Sequence, residues 1–313
     1  MPYDLRPLSL AELLDRAFGM YRRHFLLFVG IMAIPSVVML VFSVAIQFIQ
    51  APVAPPDPAA APDPAQMLGA AIWGGAAFVL MMILYWLTYA VALGASTTAV
   101  AEIYKGEVPS IAASYGFISG KVGRLALLML LVGLRIGGAM LLVGMIIAVL
   151  VPGLLRVSPI VAWLFGFASL GAGAVFLIWL MLRYAVAVPP AVLEDSTASE
   201  SIARSIELTG GSRWRVLVIM VFTVIIAYAG LMLFQGPFIV ASVMAGPETA
   251  TGFWLNLLGV ITGSIASALT NPLAIVAMAV LYYDLRIRHE GLDIELMIEA
   301  LPAKPSSPAV LPG

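Results

Sequence analysis

Cysteine is absent, histidine occurs twice, and charged residues make up only 11% of the 313 positions. Without thiols there is no disulfide frame, no thiolate metal site and no cysteine nucleophile, and the redox state of the compartment leaves no mark on the sequence. His24 and His289 are too few and too isolated for a metal site or for the base that activates a nucleophile. A glycine-rich phosphate loop with a following lysine is missing too, which excludes an ATPase site. With 16 Lys and Arg against 17 Asp and Glu the net charge is −1, so there is no basic excess to hold nucleic acid. No cofactor is expected.

What fills the chain instead is apolar. Hydrophobic residues at 62% and a mean hydropathy of +1.05 place it among polytopic membrane proteins. The expected fold class is all-α, with six transmembrane helices over about 25–49, 67–100, 125–150, 159–188, 216–244 and 253–283. The first run is too long for the core of a signal peptide and reads as a retained span, kinked at Pro35. Residues 1–24 read as a cytoplasmic amphipathic helix and residues 51–66 as an extended, Pro-rich external loop. Residues 285–313 read as a cytoplasmic tail, with Ile294, Met297, Ile298 and Leu301 at helical spacing before a Pro-rich end.

Short helices precede three of the apolar runs. Ser9 with Glu12 and Thr197 with Glu200 have capping-box spacing. Leu10, Leu13, Leu14, Ala17, Phe18 and Tyr21 form one stripe of the first helix, which either rests in the headgroup layer or packs on the bundle. Ile111, Tyr115 and Ile118 share a face of the second, and Ile202 and Ile206 a face of the third, which Gly210 and Gly211 should end. A shift of 91 residues lays Ser110, Ile111 and Ser114 on Ser201, Ile202 and Ser205, Gly120 on Gly211 and Arg124 on Arg215, and a shift of 98 lays Leu13 on Ile111. The chain therefore reads as three repeats of amphipathic surface helix plus helical hairpin. Each repeat has two spans, so the copies share one orientation, unlike the inverted repeats of many transporters.

Fourteen of the 16 Lys and Arg fall in the N-terminal segment, residues 105–124, residues 183–215 and the tail. Arg156 stands alone on the other side and Arg135 lies within the third span. By the positive-inside rule both termini are cytoplasmic, in a multi-pass protein of the cell (inner) membrane.

Two intramembrane residues stand out as a candidate polar site. Arg135, in GLRIGG, costs at least about 2.5 kcal/mol near a bilayer centre unless it meets water, protein or a lipid phosphate, or snorkels out. Gly133, Gly137 and Gly138 would let a neighbouring backbone approach it, and Glu102 and Asp284, at helix ends, are the acids within reach. Asn271 precedes Pro272, with Ser264, Ser267 and Thr270 upstream. That pattern suits a helix break at a substrate site, or hydrogen-bonding glue between helices. Arg16, Arg22, Arg23, Arg124, Arg213 and Arg215 form a candidate basic ring for anionic headgroups. Membrane lipids are the expected partners, with other membrane proteins.

The segments LRPLSLAELLDRAFGMYRRHF, ESIARSIELTGGSRWRVL and YYDLRIRHEGLDIELMIEAL together resemble the family of membrane domains named after glycerophosphoryl diester phosphodiesterases, over nearly the whole chain. In some relatives that domain precedes a soluble phosphodiesterase barrel, and in many it stands alone. No soluble stretch of that size, with its histidines and metal-binding carboxylates, occurs here, so the resemblance implies an architecture and not an activity. The expected function is that of a non-enzymatic integral membrane protein, an accessory or scaffold in lipid or envelope processes. The alternative is a small-solute or lipid transporter or a permease subunit.

Overall fold

The computed structural model describes residues 6–49, 64–246 and 248–291. These are helical with no strand among them, and six helices are long and apolar enough to cross a membrane. In chain order the helices are α1 (Leu10–Arg23), α2 (Phe25–Ile49), α3 (Pro64–Lys105), α4 (Ile111–Ile118), α5 (Val122–Leu155), α6 (Pro159–Tyr184), α7 (Val188–Leu193), α8 (Ala198–Thr209), α9 (Arg213–Phe234), α10 (Gly236–Ala245) and α11 (Ala250–Glu290). The body of the Pro-rich loop and the expected tail helix lie outside the described residues.

The capping boxes form as their spacing predicts. The Ser9 side chain accepts from the Glu12 N–H while Glu12 accepts from the Ser9 N–H, and Thr197 and Glu200 do the same at the start of α8. Helix α8 ends at Thr209, with Gly210 as its cap and Gly211 at φ +79°, a conformation that side chains with a Cβ rarely adopt.

Helix α1 packs on the bundle against α11, α2 and α9, burying Leu13, Ala17, Met20 and Tyr21. Phe18, placed on the apolar stripe by spacing, is exposed, and Met20 takes its place in the core. In α4, Ser114 and Ile118 are buried while Ile111 stays partly exposed, the end of its side chain abutting Gly30. A small hydroxyl side chain, Ser114, thus shares the buried face of α4 with Ile118.

The fifth apolar run, expected as one span over 216–244, is two helices. Helix α9 stops at Phe234 and α10 starts at Gly236, with Gln235 and the Gly236-Pro237 step at the joint. Helix α11 is the axis of the molecule: half of its most apolar stretch is buried in protein, against none of the corresponding stretch of α4–α5. It touches α1, α2, α3, α8, α9 and α10. Beside it the run from Gly94 to Ala101 of α3 is built almost wholly of small residues, every one of them buried. That lets surrounding helices close in, as membrane bundles require. A Cβ on Gly94 would lie 2.6 Å from Leu125 and 3.2 Å from Ile118.

Three polar knots tie the ends of these helices together. Asp284, fully buried, accepts from the Leu8 N–H at 2.7 Å and pairs with Arg215 at 2.9 Å and Arg288 at 3.0 Å; both arginines also donate to the Leu8 carbonyl. Arg204 pairs with Glu194 at 3.2 Å and with Glu290, and Tyr282 donates to Glu194 at 2.5 Å. Asp195 pairs with Lys121 at 2.7 Å and Arg124 at 3.1 Å. The amphipathic helices and the C-terminal part of α11 thereby form one packed, charged end of the bundle.

Candidate functional site

Near the middle of the bundle, α2, α3, the α9–α10 joint and α11 leave a cavity of about 280 Å³ between them. Helix α2 contributes Pro35, Ser36 and Ser43; α3 contributes Tyr85 and Tyr89; α11 contributes Ser264, Ser267 and Asn271. Gln235 enters from the joint, and Met32 and Met39 supply apolar wall. Among the described residues no Asp, Glu, Lys, Arg or His lines it.

Three of the four walls carry a helix irregularity, and α3 alone runs through unbroken. Pro35 removes the N–H that would bond the Ile31 carbonyl, and the Tyr115 hydroxyl of α4 donates to that carbonyl at 2.6 Å instead. Pro272 follows Asn271 in α11, and one residue past the carbonyl it orphans, that of Ala268, the Tyr21 hydroxyl of α1 donates to Leu269 O at 2.5 Å. Burial pushes the Tyr21 hydroxyl up to about 12, so it remains a donor at ordinary pH. The third irregularity is the break at Gln235, whose side chain lies over Gly263: a Cβ there would meet Oε1 at 2.7 Å. Kinks at prolines, satisfied by side chains of neighbouring helices, are how a membrane helix bends without leaving backbone groups unpaired in hydrocarbon.

The polar side chains of the cavity are only partly used by the protein. Ser36 Oγ donates to the Met32 carbonyl at 2.7 Å and Ser264 Oγ to the Val260 carbonyl at 2.9 Å, which leaves their lone pairs facing the space. The amides of Asn271 and Gln235 and the hydroxyls of Tyr85 and Tyr89 have no hydrogen-bond partner among the described residues. The two tyrosine rings stack, with centroids 5.8 Å apart. Such a set can hold water or a neutral polar ligand by hydrogen bonds, and among the described residues no Asp, Glu, Lys, Arg or His stands in the lining to act as a base toward its hydroxyls.

The sequence candidates divide. Asn271 lies in this cavity with Ser264 and Ser267, whereas Thr270 bonds back to the Ala266 carbonyl of its own helix and does not line it. Arg135 is not brought to Asn271. It is exposed on the outer face of α5, where its guanidinium donates to the Leu131 carbonyl at 3.2 Å, one turn back on its own helix. Of the nearby glycines, Gly133 receives the Trp86 ring, while Gly137 and Gly138 have nothing within 4 Å of a would-be Cβ, so no neighbouring backbone comes close. Asp284 pairs with Arg215 and Arg288, and not with Arg135.

The six candidate headgroup arginines do not form a uniform ring. Arg22, Arg23 and Arg213 are exposed and Arg16 is half-buried, while Arg215 is committed to Asp284 and Arg124 to Asp195 and the Ala191 carbonyl. Hydrogen bonds from Lys121 first, then Arg124, hold the Asp195 carboxyl below the usual carboxylate range. His24, at the α1–α2 corner, is lowered below 6.5 by burial and by Arg23.

Sequence reading missed Tyr85, Tyr89, Ser36 and Gln235. Two signals pointed to three of them: a lone glutamine before Gly-Pro inside an apolar run, and a tyrosine pair spaced i, i+4 on one helix face; Ser36 had none.

No curated protein and no solved structure matches this chain. The match to a family takes in the third-unit and exit motifs quoted above, the N-terminal one lying before it. Over residues 160–305, which hold α6 to α11 and with them Gln235 and Asn271, the chain matches the membrane domain of glycerophosphoryl diester phosphodiesterase.

Proposed function

We propose that this protein is a non-enzymatic, multi-pass protein of the inner membrane that takes a small polar solute or a lipid headgroup into its bundle, as a transporter or lipid-handling subunit. Its architecture is three units of surface helix plus hairpin (α1–α3, α4–α6, α8–α11), with both termini cytoplasmic. The observation that carries this reading is the uncharged polar cavity at which the Pro35, Gln235 and Pro272 irregularities meet. Discontinuous helices around a mid-bundle polar site are the arrangement by which membrane proteins present backbone and side-chain groups to a solute. The accessory or scaffold role is the second reading. It draws on the exposed Arg22, Arg23 and Arg213 beside the ion-paired end, which suit an anionic surface.

A chain without cysteine allows a direct test. Ser267→Cys and, as a lipid-facing control, Ile265→Cys are exposed in vesicles to a small, water-soluble thiol reagent that does not cross membranes. Reaction of Ser267→Cys from at least one side, with Ile265→Cys inert, is expected. A Ser267→Cys protein that is folded and inert from both sides would remove the transport reading and leave the scaffold.

A further inference from the structure

Resting on that reading of the cavity, we infer that its ligand is an uncharged polyhydroxyl group about the size of one sugar ring, either a free sugar or polyol or the headgroup of a neutral glycolipid. Charge is excluded first. A phosphate, carboxylate or ammonium brought into a low-dielectric site with no counter-charge pays a desolvation cost of several kcal/mol, and no formally charged side chain lines these walls. Size comes next, since about 280 Å³ is at the lower edge of the roughly 300–1,000 Å³ of drug-sized sites.

The pattern of donors and acceptors then selects hydroxyls. Asn271 and Gln235 each present an N–H₂ and a carbonyl, the Tyr85 and Tyr89 hydroxyls can give or take, and Ser36 and Ser264, their protons already donated to Met32 and Val260, can only accept. A group that both donates and accepts at every oxygen satisfies this mixed set. A purely apolar ligand would leave two amides unpaired, at about 1–3 kcal/mol for each buried group. The stacked Tyr85–Tyr89 pair, with Met32 and Met39 nearby, gives an apolar face for the C–H side of a sugar ring.

The test places the full chain in nanodiscs of phosphatidylcholine containing equal monoglucosyl diacylglycerol and phosphatidylglycerol with the same acyl chains, and reads the retained lipid by native mass spectrometry. A parallel arm titrates glucose and glycerol into nanodiscs of phosphatidylcholine alone. Enrichment of the glucosyl lipid identifies a headgroup ligand and saturable glucose or glycerol binding a free one; either supports the inference. Asn271→Leu or Gln235→Leu should weaken that binding by about tenfold or more, the loss of one or two hydrogen bonds, with Arg135→Leu unchanged. Asn271→Ser puts a smaller hydroxyl in place of the amide and is the variant to read if Asn271→Leu fails to fold. Phosphatidylglycerol enriched in the natural chain and lost in the Asn271 variant would overturn the polyhydroxyl class while sparing the cavity as a binding site. If no ligand responds to the Asn271 and Gln235 variants, both the class and the site fall.

Discussion

Asp284 has no exposed side-chain surface, and its carboxylate faces two guanidinium groups and a backbone N–H. A buried carboxylate is tolerable only with such complete pairing, and removing one side of a buried pair typically costs about 3–5 kcal/mol because the other side is left uncompensated. Asp284→Ala should therefore lower the melting temperature of the detergent-purified protein far more than Arg288→Ala, which leaves Arg215 in place. Equal, small shifts would show the knot to be ornamental. Arg135→Leu is expected to behave oppositely. Its guanidinium rests on its own helix, so replacing it should leave the melting temperature unchanged or raise it. The sequence named Asp284 as a helix-end acid within reach of Arg135 and Arg215 as a headgroup cation, and could not pair the two with each other. Asp284 and Arg215 are 69 positions apart and meet only because α9 and α11 pack side by side.

Helices in this protein are shaped by tyrosines as much as by prolines. Tyr115 supplies the hydrogen bond that Pro35 denies to the buried Ile31 backbone, so the bend of α2 and the seat of α4 depend on one another. Tyr115→Phe should cost about 1–3 kcal/mol, the price of an unsatisfied buried acceptor. In a Pro35→Ala background, where residue 35 again donates to Ile31, the same change should cost less. A double-mutant cycle on thermal stability measures the difference, and additive effects would show that the two residues are not coupled. Element existence was legible from sequence because long apolar runs and capping boxes are strong local signals. The break at Gln235 was not, since hydropathy averages over it and a single Gly-Pro step decides it. The cavity was half legible: Asn271-Pro272 and its serines share one helix and appear in one stretch of sequence. Tyr85, Tyr89 and Gln235 join them only through packing across three helices.

At the scale of the whole molecule, most of the cations named above gather at one end of the bundle, and five of them are fixed there by acids. Lys121 and Arg124 share Asp195, Arg204 pairs with Glu194 and Glu290, and Arg215 and Arg288 share Asp284. Arg156, at the far end of α5, is the cation placed opposite. Such pairing lowers the net charge of this end without weakening the orientation signal. Insertion responds to Lys and Arg near the ends of spans, and Asp and Glu contribute little. With 14 of 16 cations in the segments that the proposed topology puts on one side, the charged end is expected in the cytoplasm, and with six spans both termini are expected there too. Reporter fusions at Pro58, between α2 and α3, and at Pro302, beyond α11, should then report opposite sides of the membrane. Gln at Arg22, Arg23 and Arg213 together should blur that assignment, because these exposed cations flank the first and fifth apolar runs and their loss leaves the Asp284 and Asp195 knots intact. Matching reports from Pro58 and Pro302 would mean that one of the six helices does not cross, and α5, none of whose most apolar stretch is buried by protein, would be the first to re-examine.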